Sequence, residues 1–218
     1  MREVTHRSKN LLAVLQGIVR QTARRTKDLD EFISSFSARL QSIAHSHDLL
    51  VNDNWSGTSL RALIERQIGI FSDLDTGRIR IDGADISITA VAVQNLGLAF
   101  HELATNALKY GSLSMPEGLV QVGWQIDTAS KREQEAASGG ELRLIWQETG
   151  GPIVKQLGET GFGRVLLEQV VGRALDGIVT LDFAPSGVIC TMRLPLSRAA
   201  ALEALPQTAD IAPVTEKA

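Results

Sequence analysis

Two apolar seams of helical spacing open the chain. Val4, Leu11, Leu15, Ile18 and Thr22 follow one another at steps of seven, four, three and four, the pattern of a helix packed along one side. Asp28 with Glu31 three residues later is a capping box, so a second helix starts there. Its seam is Leu29, Ile33, Phe36, Leu40, Ile43, His47 and Leu50. Joined by a turn over 24–27, the two helices form an antiparallel hairpin. Such a hairpin has little core of its own, and pairing two of them into a four-helix bundle supplies one, so a homodimer is expected.

The turn-rich run Asn52-Asp53-Asn54-Trp55-Ser56-Gly57 marks a boundary, which divides the chain into an all-α hairpin over 1–53 and a second domain over 54–197. Beyond it the pattern is mixed α and β. Leu60, Leu63, Ile64, Ile68 and Phe71 make an amphipathic helix, 78–82 alternates like a strand, and 86–89 reads as another. A long helix over 90–110 is closed by Gly111. Strands are expected over 119–126 and 142–148, with a polar loop over 129–140 between them. An irregular stretch over 151–160 precedes a helix over 163–175, and a hairpin turns around Pro185-Ser186-Gly187. The Ala/Pro/Thr-rich end, 198–218, is expected to be a mobile tail.

With 218 residues, 44% of them hydrophobic and 22% charged, the chain has the balance of an ordinary globular protein of one large or two small domains. It holds no run near the roughly 18 apolar residues of a membrane span, and its N-terminus is charged from the second residue. The single cysteine, Cys190, forms no internal disulfide, and a cytoplasmic location is expected. A net charge of −3 argues against general nucleic-acid binding. The average hides an asymmetry. Up to Lys27 the charged residues are Arg2, Arg7, Lys9, Arg20, Arg24, Arg25 and Lys27 against Glu3 alone, a surface that suits an acidic partner or a plainly solvated basic face.

His6 lies about 200° around the helix from the seam residue Val4 and faces water. An exposed imidazole is largely neutral near pH 7 and offers a lone pair for attack, although an idle surface histidine has the same position. Asn10, four residues on, shares its face, and Glu3 and Lys9 flank it. Glu102, Asn106 and Tyr110 sit four apart on one face of the long helix. An amide oxygen there suits Mg²⁺, and Lys109 could reach a phosphate; a solvated polar face is the alternative. The glycines Gly150, Gly151, Gly158, Gly161 and Gly163 surround a helix start, where free N–H groups can meet phosphate, or they form a loop and nothing more. There is no Walker-type or Rossmann pattern, His45 and His47 point to opposite sides of their helix, and no nucleophile elbow occurs.

The order of these features resembles the sensor histidine kinases, specifically the HWE subfamily. The resemblance is carried by His6-Arg7-Ser8-Lys9-Asn10-Leu11-Leu12-Ala13-Val14, by His47-Asp48-Leu49-Leu50, and by His101-Glu102-Leu103-Ala104-Thr105-Asn106. Trp146-Gln147-Glu148-Thr149-Gly150-Gly151-Pro152, Gly161-Phe162-Gly163 and Leu194-Pro195-Leu196 complete it. It implies a dimerisation and phosphotransfer hairpin followed by an ATP-binding α/β two-layer sandwich of the gyrase type. ATP and Mg²⁺ are the implied cofactors, with Asn106 on the metal, Glu148 accepting the adenine amino group, and Gly161, Phe162 and Gly163 beside the loop that closes over phosphate. Trp146 is expected to be a packing residue near the base or a plain core tryptophan; no chemical role is assigned to His101.

The reaction implied is in-line transfer of the ATP γ-phosphoryl to a His6 ring nitrogen, then to an aspartate of a response-regulator receiver. One departure concerns the base. Many histidine kinases carry an acid directly after the phosphoacceptor, whereas Arg7 stands here. Glu3 or Glu102 could accept the ring proton, or no base is needed. Asn10 could orient water for dephosphorylation of the regulator. An upstream sensor domain is expected in a longer protein. The alternatives are a phosphotransfer scaffold with a decayed ATP domain, and a protein-serine kinase or ATPase on the same nucleotide fold.

Overall fold

The computed structural model describes residues 15–20, 22–24, 26–52, 57–69, 71, 77–127, 140–153, 167 and 171–201. Residues 15–20 are helical, and Ile18 and Thr22 are buried, as the first seam requires. The capping box forms: the Glu31 N–H donates to Asp28 Oδ1 at 2.8 Å, and the Lys27 N–H to Glu31 Oε2 at 2.9 Å. Helix α1 (Leu29–Asn52) follows.

A five-stranded sheet organises the rest, in the order β2-β4-β5-β7-β6. Its strands are β2 (Ile79–Gly83), β4 (Leu119–Asp127), β5 (Glu141–Thr149), β6 (Ile178–Ala184) and β7 (Gly187–Pro195). Only β2 against β4 is parallel; the other neighbours are antiparallel. Alternation puts Val120, Val122, Leu142, Leu144, Trp146, Cys190, Met192 and Leu194 on one buried face. Helices α2 (Leu60–Ile68) and α3 (Ala90–Lys109) cover that face with Leu60, Leu63, Ile64, Ile68, Leu96, Phe100 and Leu103. The result is the expected α/β two-layer sandwich. Ser59 and Thr89 cap the two helices by accepting the Ala62 and Ala92 N–H groups. Strand β1 (Thr58–Ser59), which turn-rich sequence concealed, pairs with β3 (Ser87–Ile88). No described helix is long and apolar enough to cross a membrane. Burial pushes the Cys190 thiol up to about 12, which leaves it inert.

Two expectations need correction. The apolar seam of α1 is buried only in part: Leu29 is 69% and Ile33 51% exposed, Leu40 is also exposed, and His47 is half-buried rather than a core residue, whereas Phe36 and Ile43 pack against Ile18 and Leu98. Its fully buried residues are Ser42, Ser46 and the seam residue Leu50, one turn apart. Leu50 joins the core under the sheet, and Gln67 donates to the Ser42 carbonyl and Ser46 Oγ and accepts from Ser42 Oγ. Gly97 permits this approach, since a Cβ there would lie 2.1 Å from Ser46 Oγ. Small polar residues let α1 lie close on α2 and α3, and the expected boundary at 53/54 is therefore crossed by shared packing. Residues 198–201, expected in the mobile tail, are instead packed on the domain. Ala199 and Ala200 are buried, Ala200 bridges Ile88, and the Ala201 N–H donates to the Ser87 carbonyl. Small side chains at 199–201 fit against the short β3 strand; residues 202–218 lie outside the described part.

Candidate nucleotide site

Helix α3 ends at Lys109, where the Tyr110 and Gly111 N–H groups both donate to the Asn106 carbonyl at 2.8 and 3.0 Å. A short 3-10 turn (Ser112–Ser114) starts at once, and its first N–H would be an orphan donor. Glu148 on β5 supplies the acceptor: the Ser112 N–H donates to Oε2 at 2.8 Å. Two residues earlier, on the same face of the strand, Trp146 donates its indole N–H to Glu148 Oε1 at 3.1 Å. Both residues are buried, Glu148 at 3% and Trp146 at 1% exposure. Trp146 is therefore more than packing.

Glycines make room for this carboxylate. A Cβ on Gly111 would lie 2.0 Å from Glu148 Oε2, and one on Gly187 would lie 2.0 Å from the Glu148 carbonyl oxygen. Gly150, at φ +71°, rests on the Glu117 carbonyl, and Gly151 would bring a Cβ to 2.9 Å from the Ser112 backbone. Their smallness thus serves the junction between β5 and the end of α3. Asn106 is half-buried on that last turn, with Lys109 and Tyr110 exposed beside it. Among the described residues nothing hydrogen-bonds the Asn106 side chain, so its amide oxygen suits a hard cation such as Mg²⁺. No cluster of three or more His, Cys, Asp or Glu able to hold a metal occurs among the described residues.

Glu102, one turn before Asn106 on the same helix, is buried and paired with a cation. Arg39 of α1 donates Nε to Oε1 at 2.7 Å and Nη2 to Oε2 at 2.9 Å, and its Nη1 donates to Thr22 Oγ1 at 3.1 Å. Thr22 Oγ1 donates in turn to the Ile18 carbonyl at 2.7 Å. One guanidinium thus joins the first helical segment, α1 and α3. Sequence reasoning missed Arg39; its place on α1 three residues before Ser42 became meaningful only once the buried face was known. His101 lies in the same region, 6% exposed, with its ring 5.1 Å from that of Phe71. Burial first, then the positive charges of Arg39, His45 and Lys109, lower its pKa to about 4, so it is neutral near pH 7. Glu3, His6, Asn10, Gly158, Gly161, Phe162 and Gly163 lie outside the described residues.

Residues 3–85 match the model of the HWE histidine kinase family. Blue-light-activated histidine kinases of Brucella ovis and Brucella anthropi are 33% and 34% identical over 196 residues, 90% of this chain. The chain belongs to the HWE histidine kinases. It spans about two fifths of those relatives (39% and 38% of their length). Among solved structures, the blue-light activated histidine kinase of Erythrobacter litoralis EL346 superposes with a TM-score of 0.60 at 19% identity, over 86% of this chain and 59% of that one. Its isolated histidine kinase domain gives 0.56 at 18% identity, over 85% and 95%. At that identity the likeness concerns the fold: this HWE chain has the architecture of a histidine-kinase core. Trp146 and Glu148, both in the run from Trp146 to Pro152 that carries part of the resemblance, are one hydrogen-bonded unit in it.

Proposed function

We propose that the chain is an ATP-dependent histidine autokinase that phosphorylates His6 and passes the phosphoryl group to an aspartate of a response-regulator receiver. The observation that carries this reading is the buried Glu148 carboxylate, held by Trp146 and Ser112 at the end of the helix that bears Asn106. Glu148 accepts the adenine amino group. Asn106 supports Mg²⁺, which when bound neutralises phosphate charge. Lys109 and Tyr110 border the phosphates, and Gly150 and Gly151 shape the floor; Gly161, Phe162 and Gly163 belong to the closing loop. In the transfer a His6 ring nitrogen forms a bond to the γ-phosphorus as the bond to the bridging oxygen breaks, and ADP leaves.

The ring proton goes to solvent, Glu3 or Glu102. Both Glu102 oxygens already accept from Arg39, so Glu102 serves as base only after that pair opens. Asn10 orients water in the reverse dephosphorylation, the basic hairpin docks the acidic receiver, and the exposed α1 seam at Leu29, Ile33 and Leu40 pairs two copies into a homodimer. An upstream sensor domain drives the first helix in the longer protein, which acts in the cytoplasm. The test is incubation with Mg²⁺ and γ-labelled ATP. Acid-labile label that disappears in His6→Ala is expected; acid-stable label, or label that survives that substitution, contradicts the reading.

A further inference from the structure

A carboxylate has about four lone-pair positions, and each Glu148 oxygen has one of them occupied by a fixed donor. The two donors differ in kind from the Arg39 guanidinium on Glu102: both are neutral N–H groups on rigid elements, a backbone amide and an indole in the sheet core. They set the carboxylate plane without cancelling its charge. The remaining acceptor positions therefore point in fixed directions, which is what reading one edge of a base demands. Gly111 completes the arrangement, because any side chain there would occupy the space of Oε2.

We propose that Trp146 is a positioning residue for base recognition, and that with the Ser112 amide and the space at Gly111 it aims Glu148 at an exocyclic amino group. The aimed carboxylate favours adenine, which offers a donor, over guanine, which presents a carbonyl acceptor at the same edge and would leave two acceptors opposed. The proposal rests on the reading of Glu148 as the acceptor of the adenine amino group. Trp146→Phe keeps an aromatic ring in the core and removes only the donor. Gly111→Ala reaches the carboxylate from the opposite side and leaves the indole intact.

The experiment is calorimetric titration of the full chain with ATP and with GTP in Mg²⁺, for wild type, Trp146→Phe, Gly111→Ala and Glu148→Gln. A hydrogen bond to a charged group corresponds to roughly tenfold in affinity, so Trp146→Phe should weaken ATP about tenfold, leave GTP nearly unchanged and narrow the ATP preference accordingly. A merely structural tryptophan would lower both nucleotides together and leave their ratio intact. Unchanged ATP affinity and preference in Trp146→Phe, beside a lost preference in Glu148→Gln, overturns the role of Trp146 and keeps that of Glu148. Wild-type ATP preference in Glu148→Gln overturns the reading of Glu148 and the proposal with it. Should Trp146→Phe fail to fold, Gly111→Ala decides by the same ratio.

Discussion

Glu102 and Glu148 are both buried, at 4% and 3% exposure, and both have two satisfied oxygens, yet their surroundings differ in charge. Glu102 faces a guanidinium from α1, so its charge is cancelled and its lone pairs face a single bidentate partner. Glu148 faces two neutral donors from its own sheet and from the turn after α3, so its charge stays uncancelled for a ligand. The first arrangement ties one part of the molecule to another; the second prepares a recognition site. Two buried carboxylates, one on α3 and one on β5, thus divide structural and ligand-facing work through the kind of donor each meets.

The largest effect should come from breaking the cancelled charge. Arg39→Ala leaves Glu102 buried without its cation and should cost about 4 kcal/mol in denaturant unfolding. The double replacement Arg39→Met with Glu102→Leu should stay within about 1 kcal/mol of wild type, because neither charge is left behind. If the double variant is as unstable as the single one, the tether has been misread and the face it occupies matters for shape alone.

A smaller effect concerns His101 in the same region. The unfolded chain takes up a proton near pH 6.5 that the folded chain refuses until about pH 4, because burial and the charges of Arg39, His45 and Lys109 oppose it. Folded stability should therefore fall as pH drops through that window and be level above it. Between pH 7.5 and 5 the wild type should lose about 2 kcal/mol more than His101→Phe, measured by urea unfolding at each pH. Equal losses would place His101 in a more polar setting than Phe71 and the α1–α3 junction provide.

The smallest stability effect belongs to Glu148. Glu148→Gln keeps an acceptor for one of the two N–H donors and should cost about 1 kcal/mol in the same unfolding assay. A loss as large as that of Arg39→Ala would mean that Glu148 is chiefly a structural cap of the Ser112 turn.

Much of this architecture was readable from residue pattern because pattern and packing agree locally. The Asp28–Glu31 box, the Leu60–Leu63–Ile64–Ile68 face and the alternation along β4, β5 and β7 each depend on neighbours within a few residues. The candidate site was readable in its residue types but not in its partners. Trp146 and Glu148 lie two apart on a strand, a spacing that already places them on one face, while Ser112 and Gly111 meet them only through the fold. The buried face of α1 was hidden for the opposite reason. Ser42, Ser46 and Arg39 look like solvent residues until Gly97 and Gln67 bring two helices close enough to use them. An apolar seam announces that a partner exists, whereas a small polar face announces nothing until the partner is present.

The most direct test compares the two carboxylates in one assay. Mg²⁺-ATP is titrated into wild type, Glu102→Gln and Glu148→Gln, each shown to be folded at the working temperature. A loss of ATP affinity of roughly tenfold or more in Glu148→Gln, with Glu102→Gln within about twofold of wild type, is the predicted result. Equal losses in both variants, or a loss confined to Glu102→Gln, would contradict the division between a tethering and a ligand-facing carboxylate.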